Sequence, residues 1–234
     1  RYCFGYSHPN TFHYAAWEMI AIGIYLWHDK MKTYHYAVLL AFALVITYLT
    51  RSRTGGILLI MTIVLFWMAG RWEKKILPYI GTGLFTAGCL LFSALPMIFG
   101  YKDNILNYVN MALNNRLEMA RGAILFDRII PVSLFSNPEN EALIDMGFIR
   151  IFYTFGIVPT VLFVGCIFYL IYHAYQKQNN MNLNLIFMIV CYTTLEAVQV
   201  NSGILYNFII LLMLGTWAQY LEILPDRKKH EVKS

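Results

Sequence analysis

Charge is what this sequence has least of. Only 13% of its 234 residues are Asp, Glu, Lys or Arg, about half of the roughly 25% usual for a water-soluble domain. Too little charge is left to cover a solvated surface, so a soluble enzyme domain and a disordered chain are both excluded. Cysteine is scarce too. Cys3, Cys89, Cys166 and Cys191 have neither the density of a disulfide scaffold nor the spacing of a metal site. The last three lie in apolar runs, where cysteine acts as a small core residue. What is abundant is apolar: 59% of residues are hydrophobic and 16% aromatic, with a mean hydropathy of +0.53. This composition indicates an all-α integral membrane protein. The opening Arg1, which begins a motif-like segment, leads us to expect the C-terminal portion of a longer polytopic protein.

A bilayer core takes about 20 mostly apolar residues per helix. Seven runs come close: 11–27, 36–50, 55–70, 76–99, 148–174, 183–200 and 203–223. About seven transmembrane helices are therefore expected, forming a single membrane domain over 1–234. The second and third runs are short, and a helix–loop–helix within the membrane is the alternative for that pair. The basic tail Asp226-Arg227-Lys228-Lys229 reads as cytoplasmic. Counting back across seven spans then puts the first ten residues outside.

The kind of cation differs between the two sides. With this topology the inner segments hold 8 Lys and 2 Arg, and the outer ones 7 Arg and 1 Lys. Lysine suffices as a topological charge, whereas arginine is preferred where a planar fork must hold phosphate or carboxylate. The outer arginines therefore either bind an anion or pair with outer acids such as Glu118, Asp127 and Asp145. A nucleic-acid role is not expected, because the net charge of +5 is divided between two membrane faces.

One connection is long. The loop over 100–147 is expected to be extracytoplasmic, and loops of this length are usually functional or disordered. Its middle spaces Leu117, Ala120, Ile124 and Leu125 as a helix does, with an Asn at the start and Pro131 as a stop. That pattern predicts a short amphipathic helix on the outer membrane surface. Arg121 and Arg128 share a face of it. Arg116 sits near its N-terminus, where a cation is poorly placed unless an anion accompanies it.

Ionisable residues within spans are costly and are functional candidates by default. Glu196 falls in the sixth run, with Thr193 and Val200 on its helical face; an ion pair with an outer arginine is the structural alternative. Glu18 lies in the first run beside Trp17, and His13 close to the outer surface. Arg51 and Arg53 flank the turn before Gly55-Gly56, where backbone can come close or form a small anion nest.

Several segments together resemble the Wzy-type polysaccharide polymerases and the related O-antigen ligases, most nearly the Gram-positive capsular or exopolysaccharide polymerases. Arg1 to Asn10, with His8-Pro9-Asn10, looks like their "R…G(Y/F)…HPN" segment. Ser52-Arg53-Thr54-Gly55 looks like their "SRT(G/A)" turn. Asn115-Arg116-Leu117-Glu118 and the stretch from Pro131 to Ser136 look like "GR(I/L)" and "LFG". Ile144-Asp145-Met146-Gly147-Phe148, with Tyr153-Thr154-Phe155-Gly156-Ile157, looks like "(L/I)DNGYL…YGI". Glu196 matches an acidic residue of the following span. The chain departs from these patterns at Asn115, Ser136 and Met146, which replace Gly, Gly and Asn. Asp145 stands where the ligase branch tends to place His.

The resemblance implies a GT-C-like, metal-independent membrane glycosyltransferase of the bacterial plasma membrane. It would need no cofactor. Its donor would be an oligosaccharide on polyprenyl pyrophosphate and its acceptor a sugar hydroxyl on another lipid-linked unit. Arg53 and Arg116 would be the main pyrophosphate holders, with Arg1 and Arg121 secondary. Glu196, Asp145 and His8 are the candidates for the catalytic base. Membrane lipids and other polysaccharide assembly proteins are the expected partners. Two alternatives stay open: ligase-type transfer to another acceptor, and a transporter or flippase for lipid-linked oligosaccharide, although no inverted repeat or broken helix is evident in the sequence.

Overall fold

The computed structural model describes residues 9–69, 76–98, 104–113, 115–126, 134–135 and 144–196, with Gly215 and Ala218. Among the described residues there are helices and no strands. The helices are α1 (Pro9–Trp27), α2 (Thr33–Thr50), α3 (Arg53–Ala69), α4 (Leu77–Ile98), α5 (Asn104–Ala112), α6 (Arg116–Phe126), α7 (Gly147–Phe155), α8 (Ile157–Gln176) and α9 (Asn180–Leu195). Three of them are long and apolar enough to cross a membrane: α2, the stretch Leu77–Ala94 of α4, and α8. The apolar helices α3 and α9 are shorter.

Burial explains why so apolar a chain holds together as a bundle. Leu59, Ile63 and Phe66 of α3, Trp17 and Ala21 of α1, Ile167 of α8 and Ile186, Met188 and Ile189 of α9 share one core. The outward faces are equally apolar. On α2, Val38, Phe42, Val45 and Tyr48 are more than half exposed; so are Leu84 and Leu91 on α4, and Val161 and Leu162 on α8. Patches of that extent are not tolerated by a monomeric protein in water, but they match a hydrocarbon solvent.

The helices alternate in direction, and side-chain contacts fix which ends coincide. Asn184, in the first turn of α9, donates to the Leu65 carbonyl near the end of α3 at 2.9 Å. The Tyr79 hydroxyl of α4 donates to Asn180 Oδ1 at 2.8 Å, and its ring meets Tyr175 at the end of α8 at 5.5 Å. At the opposite end, Tyr14 near the start of α1 lies edge-on to Tyr192 near the end of α9, at 5.4 Å. A Cβ on Gly55 at the start of α3 would stand 2.5 Å from His13 Cβ. One end of the bundle therefore carries Arg51, Arg53, Asp145 and Glu196. The other carries His28, Asp29, Lys30, Lys32 and Lys177.

Several expected elements come out differently. The run 148–174 is two helices, because Gly156 sits at φ 89°, ψ −174° between α7 and α8. Only glycine adopts that conformation without strain. The run 183–200 ends as a helix at Leu195, and Glu196 is extended. A further helix, α5, precedes the one expected in the long loop, which is α6. Its apolar face is buried in protein: Leu117 and Ala120 pack with Ile144, Met146 and Ile149 in a second, smaller core. Gly55 and Gly56 belong to the first turns of α3, where the Gly56 N–H donates to the Ser52 carbonyl at 3.1 Å. They permit close approach to His13 of α1 and Thr47 of α2 and form no nest. His13, beside Gly55 at the arginine-bearing end, is fully buried in protein. The run 203–223 lies outside the described residues apart from Gly215 and Ala218, both helical.

Candidate functional site

The site is built where α9 stops. The last turn of a helix leaves carbonyls without intrahelical partners, and around those of α9 three groups gather. The first is Arg116, the opening residue of α6. One terminal nitrogen of its guanidinium donates to the Leu195 carbonyl. The other donates to Glu196 Oε1 at 2.7 Å. Both side chains are 11% exposed, so this is a largely dehydrated pair. The second is Asp145, which the same guanidinium reaches: Arg116 Nε lies 3.6 Å from Asp145 Oδ2, and that carboxylate is 48% exposed. One guanidinium thus bridges two carboxylates and a helix end. The third partner is the N-terminus of α7. A Cβ on Gly147 would stand 2.5 Å from the Thr193 carbonyl oxygen and 2.7 Å from that of Glu196. Only glycine lets the positive end of α7 approach the negative end of α9 so closely.

Arg116 reaches this position through a turn the sequence specifies. Asn115, between α5 and α6, has φ 61°, the left-handed region that Asn tolerates better than other non-glycine residues. Asn115 therefore supplies the turn that leads into α6. Asn110 of α5, 1% exposed, stitches the turn. Its carbonyl accepts from the Asn115 N–H at 2.8 Å, and its side-chain Oδ1 accepts from the Glu118 N–H at 3.1 Å. That second bond satisfies a donor in the first turn of α6. Nothing in the hydropathy pattern marks Asn110 as important. Its only signal is an amide on a helix one turn before a second Asn-rich turn.

The residues singled out from sequence divide into three groups. Arg116, Asp145 and Glu196 are brought together. Arg53 is exposed at the first residue of α3; it is on the same end of the bundle, but among the described residues no ion pair or hydrogen bond joins it to the cluster. Arg121 lies five residues along α6 and is half-buried. Arg1, His8, Asp127, Arg128 and Ser136 lie outside the described residues.

Glu18 is 8% exposed and sits among aromatic side chains rather than in the arginine cluster. The Tyr14 hydroxyl, one turn before it, hydrogen-bonds its carboxyl group. Trp17 stacks at a tilt on Tyr192 at 4.8 Å and donates from Nε1 to Thr62 Oγ1 at 2.7 Å. The Trp17 contacts tie α1, α3 and α9 together. Among the described residues, no group of three or more His, Cys, Asp or Glu side chains is placed to hold a metal ion. Between Asp145 and Glu196, where a cation would be most favoured, the guanidinium already stands.

Compared with known proteins, the chain matches no family model, no curated protein and no solved structure.

Proposed function

We propose that this chain works in a metal-independent membrane glycosyltransferase of the polysaccharide polymerase type. It would move a glycan from polyprenyl pyrophosphate to a sugar hydroxyl at the outer face of a bacterial plasma membrane. One observation carries the reading: Arg116, Asp145 and Glu196, drawn from three separated segments, meet at the arginine-bearing end of the bundle. The cluster places a guanidinium able to hold an anion beside two carboxylates able to act as a base. The donor's pyrophosphate competes with Glu196 for the Arg116 fork. The displaced carboxylate then takes the proton from the acceptor hydroxyl. The hydroxyl oxygen bonds to the anomeric carbon, the bond from that carbon to pyrophosphate oxygen breaks, and the departing pyrophosphate keeps the electron pair. Arginine stabilises the charge gathering there, a preorganised contact worth several kcal/mol in comparable sites, about 3–4 per donor. Asp145, on the solvent side, orients the guanidinium through Nε. Arg53 on the same end is free to meet the donor as it arrives, and membrane lipids surround the exposed helix faces.

The test is Arg116→Lys in the full-length protein, in bacterial cells lacking the native copy, with extracted glycan run on a gel. Lysine keeps the charge and removes the fork. The expected outcome is loss of polymer with normal protein level, while single lipid-linked repeats accumulate outside. An unchanged ladder would remove Arg116 from the mechanism.

A second reading draws on the break at Gly156. Broken helices are characteristic of transporters, and a flippase for lipid-linked oligosaccharide would use α7 and α8 as separately moving halves. The same experiment separates the two, since a failed flippase leaves the repeats on the inner face.

A further inference from the structure

Arg150, in the second turn of α7, stands apart from the network around Arg116. Its Nε is buried and has no hydrogen-bond partner, and the same is true of Thr154 Oγ1 one turn on. Positions four apart share a helix face, so two unmet donors lie side by side. The threonine is unusual in this molecule. Eight other helical threonines donate to the carbonyl four residues back, at 2.7 to 2.9 Å, among them Thr47, Thr62, Thr86 and Thr194. Beyond the first turn of each helix, Thr154 is the exception among the described residues, and its hydroxyl is left unmet. Nor is the charge of Arg150 compensated. Asp145 and Glu196, the acids that flank α7 in space, are both engaged by Arg116, and among the described residues no carboxylate pairs with Arg150. A half-buried guanidinium without a counter-charge is costly.

We infer that Arg150 and Thr154 form a seat for the phosphate group of an anionic ligand. A guanidinium edge and an adjacent hydroxyl offer convergent donors to a tetrahedral oxyanion. The residues that follow expose Phe155 and, beyond the break, Val161 and Leu162, an apolar track against which a lipid chain can lie. The phosphate is therefore either lipid-borne or free, and the seat holds it whether or not the chain transfers sugars.

The experiment uses full-length protein, purified and depleted of anionic lipid, with thermal unfolding as readout. Dioleoyl phosphatidic acid, inorganic pyrophosphate and dioleoyl phosphatidylcholine are each added to wild type, Arg150→Met and Thr154→Val. Phosphatidic acid is expected to raise the wild-type midpoint by several degrees, Arg150→Met to abolish that rise and Thr154→Val to reduce it. Without anionic ligand, Arg150→Met is expected to be at least as stable as wild type, because an uncompensated charge has been removed. A rise with pyrophosphate alone that Arg150→Met abolishes assigns the seat to a free anion, and a rise only with phosphatidic acid that Arg150→Met abolishes assigns it to lipid. Equal rises in wild type and Arg150→Met, or no rise with either anion, overturn the proposal. Should Arg150→Met fail to fold, Thr154→Val decides: a rise as large as in wild type overturns the seat.

Discussion

Arg116 is the residue on which most of the local electrostatics converge. It neutralises Glu196, caps the Leu195 carbonyl and contacts Asp145. Removing one partner of a buried pair costs about 3–5 kcal/mol, because the other charge is left dehydrated, whereas removing both is far milder. We expect Glu196→Ala and Arg116→Ala each to destabilise the protein by that amount, and the double variant to lose much less than their sum. A double-mutant cycle on thermal or denaturant unfolding measures the coupling. Strictly additive losses would mean that the two side chains do not interact in the folded protein. Arg116, Asp145 and Glu196 were readable as individual candidates because arginines and acids are rare in so apolar a chain. An ion pair of Glu196 with an outer arginine was readable as an alternative, but not which arginine, since Arg116 and Glu196 are 80 positions apart and hydropathy carries no information about which charges meet. The same limit hid Asn110 and the unmet donors of Arg150 and Thr154.

At the scale of elements, the apolar runs foretold where helices lie, and they did so best where a helix is long and uninterrupted. For α1, α2, α3 and α4 the expected and observed ranges agree within a few residues. They failed where a single backbone conformation overrides the pattern. The run over 148–174 is apolar throughout, yet Gly156 divides it. The Gly156 N–H closes α7 on the Phe152 carbonyl at 3.0 Å, and its own carbonyl opens α8 by accepting from the Thr160 N–H at 3.3 Å. The break is thus bonded on both sides. Gly156→Ala is expected to cost about 1–3 kcal/mol from backbone strain and to lower the unfolding midpoint accordingly. A variant as stable as wild type would show that packing between α7 and its neighbours, rather than the glycine, sets the break. The loop helix forms where its spacing placed it, as α6, but the spacing left its partner open. An amphipathic pattern says that one face seeks an apolar partner, and it does not say whether that partner is lipid or protein. Here Leu117 and Ala120 found Ile144, Met146 and Ile149.

At the scale of the whole molecule, the two ends of the bundle differ in the cation they carry, arginine at one and lysine at the other. The lysine end should face the cytoplasm, since lysine serves as the retained topological charge. Single cysteines placed at Asp29 and at Arg51, in full-length protein without its native cysteines, test this. Only the cysteine at Arg51 is expected to react with a membrane-impermeant maleimide applied to intact cells. Labelling at Asp29 alone would invert the orientation and place the Arg116 cluster inside, which no lipid-linked polymerase of the outer face could use.

The amino-acid sequence alone determined that the chain is helical and apolar on its outside as well as its inside, because it is 59% hydrophobic with 13% charge and its apolar runs approach the roughly 20 residues over which a helix satisfies its own backbone in lipid. It also determined that arginine and lysine would be sorted, because helix length forces successive connections to opposite ends. Which arginine meets which carboxylate, where a run breaks and what covers the loop helix were decided only in three dimensions. Those outcomes depend on contacts between distant segments and on backbone angles at Asn115, Gly147 and Gly156, which arise from packing and leave no periodic trace in the chain.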